Sequence, residues 1–185
     1  LKSTDGINWE KVSVITEQDV PSETAIVFLE DGRCAAFIKQ NVGMVLPGFA
    51  ISKPPYTSWS YKLGTPIQFA GHAVERFGDT IVVVAVGYLG TKPGHWDYPF
   101  DQTFAPPDKG QRTVIYTFNL KTMSLELEVI LPTERGGDSS YVGILPMGRS
   151  RFVMCWHDGQ VPRYHKYPNP SAISLAITHI VSQTP

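Results

Sequence analysis

The chain is interrupted too often to be built from helices. No long segment places apolar residues at i, i+3, i+4 and i+7. The apolar residues come instead in short runs rich in Val, Ile, Phe and Tyr, each bounded by Gly, Pro, Asp or Asn. β-Branched and aromatic side chains suit a pleated, half-buried surface. Sixteen glycines and fifteen prolines supply the turns between the runs. The pattern predicts an all-β protein of many short strands. They are drawn over Trp9–Ile15, Thr24–Leu29, Cys34–Lys39, Gly48–Ser52, Trp59–Leu63 and His72–Phe77. Further strands follow over Thr80–Tyr88, Thr113–Phe118, Ser124–Ile130, Tyr141–Leu145, Arg151–His157 and Ala172–Val181. Asp31-Gly32 and Gly78-Asp79 mark tight hairpins, because Gly tolerates positive φ.

Composition narrows the partners. Apolar residues make up 42% and charged residues 18%, as in a folded domain, and the formal net charge is −1 without a basic block. Nucleic acid and anionic membranes therefore have no electrostatic foothold. The longest apolar run, Ile81 to Val86, is strand length, well short of the roughly 20 residues of a membrane-spanning helix. Cys34 and Cys155 each sit in an apolar run and are expected to be buried free thiols. They form no metal-ligand spacing with each other or with histidine, and no cofactor motif is present.

A strand, a tight turn and an apolar strand recur over Glu23–Lys39, Phe69–Val86 and Tyr141–His157, with further strands between them. Four strands per unit of about 50–65 residues is the arithmetic of a propeller blade, although a sandwich also fits the periodicity alone. The run Ser3-Thr4-Asp5-Gly6-Ile7-Asn8-Trp9 adds a motif. The Asp5 carboxylate can accept backbone N–H groups inside the turn, Gly6 permits a left-handed backbone, and Trp9 is expected to plug the space between blade sheets. This run resembles the Asp-box of sialidase-like propellers. Ser52 through Trp59 resembles a decayed copy that keeps the Ser and Trp, and Asn119 through Met123 keeps only the turn.

The resemblance to that family extends to Glu23–Lys39 and Tyr141–His157, and Tyr141 is as far from Ser150 as Glu23 is from Gly32. It implies a six-bladed propeller of four-stranded antiparallel blades, of which this chain supplies about three, as a C-terminal portion. The blades are drawn at about 23–63, 69–130 and 139–181, with Trp9–Ile15 as an outer strand of a preceding blade. About three blades cannot close a ring, so the open ends are expected to meet the rest of a longer protein, a second copy or another chain. The residues leave the compartment open; a secreted or periplasmic address fits the resemblance.

The resemblance also implies a site. Sialidases pair a Glu with a Tyr at the heads of inner strands, the phenol attacking the anomeric carbon and the carboxylate taking its proton. Glu23 and Tyr141 match those positions. The family holds a sugar carboxylate with three arginines. One of these, and the family's general acid or base Asp, would lie upstream of Leu1. The second falls on Lys39, a point charge without the arginine fork, and the third on Arg112. Lys39 thus argues for a specificity other than sialic acid. His72 heads an inner strand and could line the axial pocket. Trp96 and Tyr98, in the long loop Gly90–Gln111, could stack on a sugar ring, and His157 ends a strand where sialidases often have a Glu. Each has a plainer alternative: a mouth-side hydrogen bond for Glu23, packing for Tyr141, solvated charges for Lys39 and Arg112, loop pinning for the aromatics. The sequence is thus compatible with a glycoside hydrolase, a glycan- or protein-binding propeller, or a structural module.

Overall fold

In a computed structural model the chain forms eleven strands among its described residues, which are 1–41, 46–64, 69–89, 110–131, 140–158 and 172–180. The first sheet is β1 (Pro21–Phe28), β2 (Cys34–Gln40), β3 (Leu46–Ser52) and β4 (Ser60–Leu63), paired in chain order. The second is β5 (Ala70–Phe77), β6 (Thr80–Leu89), β7 (Gly110–Asn119) and β8 (Ser124–Ile130), again in chain order. The third has three strands, β9 (Ser140–Pro146), β10 (Arg151–Asp158) and β11 (Ala172–His179). All pairings are antiparallel.

Two apolar interfaces hold the sheets together. Val27, Ala35, Phe37 and Phe49 of the first sheet meet Ile81, Val83, Tyr116 and Phe118 of the second. The Phe37 and Phe118 rings lie 4.8 Å apart in an edge contact, the geometry the aromatic quadrupole favours. The opposite face of the second sheet, through Val82, Val84 and Ile115, packs on Phe152, Met154 and Trp156 of the third. β6 reads as an uninterrupted apolar run because both its faces are covered. The first strands of the sheets, β1, β5 and β9, lie side by side, so the three sheets fan out from a common line.

Each of these inner strands carries the same irregularity at its head. Two residues of the inner strand face one residue of its partner: Ser22 and Glu23 against Lys39, Gly71 and His72 against Ala85, Tyr141 and Val142 against Trp156. Such bulges re-aim side chains and are frequent beside functional sites.

Three expectations are corrected. Trp9–Ile15 is not a strand; its backbone pairing is limited to the Lys2–Glu10 bridge. Trp9 is 60% exposed rather than a plug, with no sheet opposite it among the described residues. The segment instead lays Ile15 on the outer face of the first sheet, against Ala36, Ile38 and Ala50, with Trp59 and Tyr61 beside it. Ser13 anchors it, donating to Tyr56 O and accepting from Trp59 Nε1. Cys34 is buried as expected, but Cys155 is exposed on the outer face of the third sheet.

The inter-sheet aromatic cluster predicts a large cost for truncation. Phe37→Ala should lower the unfolding free energy by about 3–5 kcal/mol in urea titrations, as for other fully buried aromatics. A loss below about 1 kcal/mol would show that this contact does not hold the sheets.

Candidate functional site

The inner-strand heads enclose an open hollow of about 370 Å3 lined by Glu23, Thr24, Gly71, His72, Tyr141 and Val142. Two residues come from each inner strand. The hollow therefore exists only because the sheets fan, and the bulges decide which side chains enter it.

Glu23 joins two sheets. Its Oε1 accepts from Lys39 Nζ at 2.9 Å and its Oε2 from the Gly71 backbone N–H at 2.8 Å. Its partial burial would by itself raise the carboxyl pKa. The Lys39 and Gly71 hydrogen bonds and the Lys39 charge outweigh that, and the group is held below the usual glutamate range. Lys39 is thus committed to Glu23 and does not line the hollow.

His72 is set by burial. Its Nε2 lies 2.9 Å from the Phe37 carbonyl, so the ring must carry its proton there. Nδ1 is buried and has no hydrogen-bond partner among the described residues. The ring lies against Phe69 at 4.1 Å. Burial pushes its pKa down to about 4, so it is neutral across the physiological range.

Tyr141 is 62% exposed and sits at φ 47°, a left-handed conformation uncommon for a side chain of this size. The matching bulge position in the second sheet is Gly71, at φ 53°. Tyr141 therefore occupies a place suited to glycine, a departure that tends to accompany function. The equal spacings that align Tyr141 with Glu23 do not make them equivalent. Tyr141 matches Ser22 and Gly71, whereas Glu23 matches His72 and Val142. Both still reach the hollow, but no hydrogen bond joins them among the described residues.

The other expected residues lie elsewhere. Arg112, 3% exposed, sits at the head of β7 opposite Gly87 and is not among the described residues lining the hollow. His157 is half-buried near the end of β10, next to the β9 bulge. Trp96 and Tyr98 fall outside the described residues. Residue types alone gave no sign of Gln40. It is fully buried at the end of β2, within hydrogen-bond reach of the Tyr61 hydroxyl. Away from the hollow, Asp5 closes its turn by accepting from the Ile7 and Asn8 N–H groups and from Asn8 Nδ2. These bonds, Asn8's foremost, hold its carboxyl well below the usual range.

No family model matches the chain, and no curated protein matches it. Among solved structures it is similar to the α-L-arabinofuranosidase of Fusarium graminearum, in a mutant form bound to an iminosugar inhibitor. The TM-score is 0.57 at 11% identity, over 85% of this chain and 45% of that one. A further structure of that enzyme with an iminosugar inhibitor gives a TM-score of 0.55 at 11% identity, over 89% of this chain and 46% of that one. The likeness is one of fold. The sheets are blades of a β-propeller like that of a glycoside hydrolase, and this chain spans less than half of the chains it matches.

The depressed His72 pKa has a sign that can be checked. An unfolded His72 binds a proton near pH 6.5, whereas the folded one resists it down to about 4. The stability tied to neutral His72 is therefore complete above pH 6.5 and lost progressively as pH falls from 6.5 to 4, by about 2–3 kcal/mol. His72→Gln should flatten the urea-midpoint profile in that window. An unchanged profile would show that His72 is not buried neutral.

Proposed function

We propose that the hollow at the inner-strand heads is a carbohydrate site and that the chain belongs to a glycan-directed, hydrolase-type propeller. The observation that carries this reading is the triple bulge, which turns Glu23, His72 and Tyr141 from three sheets toward one hollow. The fold likeness to an arabinofuranosidase supports it.

The sugar in this reading is uncharged. The Glu23 charge is matched by Lys39, burial keeps His72 neutral, and the described lining of the hollow holds no arginine. A carboxylate-bearing sugar such as sialic acid would meet no surplus positive charge there. Sugar hydroxyls suit the site better: one can pair with the phenol of Tyr141, an exposed residue that lines the hollow.

In the hydrolytic form of the proposal, the Tyr141 oxygen attacks the anomeric carbon as the bond to the leaving group breaks. Its phenolic proton passes to Glu23 and on to the departing oxygen; water then attacks the anomeric carbon, releasing the sugar as the glycosyl–tyrosine bond breaks and returning one of its protons to the Tyr141 oxygen. The Tyr141 backbone supports this role, since the strained position presents the phenol to the hollow. A binding-only reading is favoured by one observation. Both Glu23 oxygens are already engaged and its pKa is lowered, which makes it a weak base.

One pair of substitutions decides between these readings. Tyr141→Phe should lower turnover of aryl glycosides of neutral sugars by about 10²–10⁴-fold while sugar binding by calorimetry persists. Tyr141→Gly should remove turnover without loss of thermal stability, because glycine suits the left-handed backbone. Full activity in Tyr141→Phe would end the nucleophile role. Neutral-sugar binding by a wild type that turns over none of these glycosides would select the binding-only reading.

A further inference from the structure

The strand that carries Glu23 begins on a strained turn. Asp19 and Val20, just ahead of β1, sit at φ 61° and 54°, consecutive left-handed residues of which neither is glycine. Val20 is β-branched, which makes this backbone an outlier, and it is 62% exposed, so burial of its side chain does not offset the strain. Such a conformation persists only where its surroundings impose it, and it concentrates beside functional sites.

The surroundings that impose it are polar and come from the opposite edge of the first sheet. The Tyr61 hydroxyl, on β4, donates to Asp19 Oδ2 at 3.0 Å. Its ring passes over Gly48 of β3 on the way. A Cβ at Gly48 would stand 3.0 Å from the Tyr61 ring and 2.8 Å from Gln40 Nε2, so glycine keeps that passage open. The buried Gln40 carboxamide lies within hydrogen-bond reach of the same hydroxyl. The backbone is fastened as well. Asn41 N–H donates to the Val20 carbonyl at 3.2 Å, and Pro21 pairs with Gln40. Asp19–Pro21 is thus zipped onto Gln40–Asn41, and the next contact in line is the Glu23–Lys39 ion pair.

We propose that Tyr61 is a positioning residue for Glu23. It is not among the described residues that line the hollow, and it acts through the turn. Holding Asp19 fixes where β1 begins, and the bulge then aims the Glu23 carboxylate at Lys39 Nζ and the Gly71 N–H together. Slack in the turn would let the bulge shift and draw the carboxylate off both partners. The consequence for turnover rests on the glycan reading of the hollow; the positioning of Glu23 does not.

NMR titration of the Glu23 side-chain carboxyl carbon reads this position, because its low pKa depends on both hydrogen bonds. The groups facing Glu23 are Lys39 on β2, His72 on β5 and Tyr141 on β9, and the variants leave all three in place. Tyr61→Phe should move the midpoint up toward the ordinary glutamate value. Asp19→Ala and Asp19→Asn remove the same charge, but asparagine keeps an acceptor for Tyr61 and tolerates the left-handed backbone. Asp19→Ala should therefore titrate like Tyr61→Phe, and Asp19→Asn like the wild type. On aryl glycosides of neutral sugars, Tyr61→Phe should lower kcat by about 10–100-fold with KM little changed. An unmoved Glu23 midpoint in a Tyr61→Phe protein of unchanged far-UV spectrum would overturn the proposal. If that variant does not fold, equal midpoints in Asp19→Ala and Asp19→Asn would overturn it instead. A wild type without turnover would end the hydrolytic reading, and the titration would still decide the role of Tyr61.

Discussion

Everything in this structure depends on sheets that must be covered on both faces. A strand such as β6, apolar on both sides from Ile81 to Val86, cannot sit at a surface. Its sheet needs a neighbour on each side, and the Phe37–Phe49–Phe118 cluster and the Phe77–Phe152 contact provide them. Twisted sheets stacked in this way, with inner strands adjoining, spread into a fan. On the outer face of the third sheet that demand is unmet among the described residues, where Leu145, Ile173, Leu175 and Ile177 are exposed.

Function, on this account, follows from what happens at the narrow edge of the fan. Inner strands that run together must end together, and their heads become the wall of a shared hollow. The repeated bulge breaks the pairing there and frees two side chains per strand from ladder duty. The Glu23 carboxylate then links the first sheet to the second through Gly71 N–H and takes up the Lys39 charge. That one group has both a structural and an electrostatic consequence: it ties the hub and leaves the hollow without surplus charge.

The strands were legible in the sequence because turn residues bracket each apolar run, and the structure forms eleven of the twelve drawn. The four-stranded antiparallel sheets were legible for the same reason. What was not legible depends on partners distant in the chain. Trp9 has the right type for a plug, but burial needs an opposing sheet, and none stands there among the described residues. Cys155 reads as a core thiol until its face proves uncovered. The bulges come from register, which residue types specify poorly, so the one-residue offset between Glu23 and Tyr141 was hidden. Lys39 looked like a ligand for a substrate anion; its proximity to Glu23, across the β1–β2 bulge, makes it an internal counter-ion.

The heads of different sheets meet at one hub, and the Glu23–Gly71 bond ties two of them together there. An NMR pH titration of the Gly71 amide measures it. The Gly71 shift should follow the Glu23 carboxylate, with a midpoint below the ordinary glutamate value, and should disappear in Glu23→Gln. A Gly71 amide indifferent to the ionisation of Glu23 would contradict the shared hub and the hollow that depends on it.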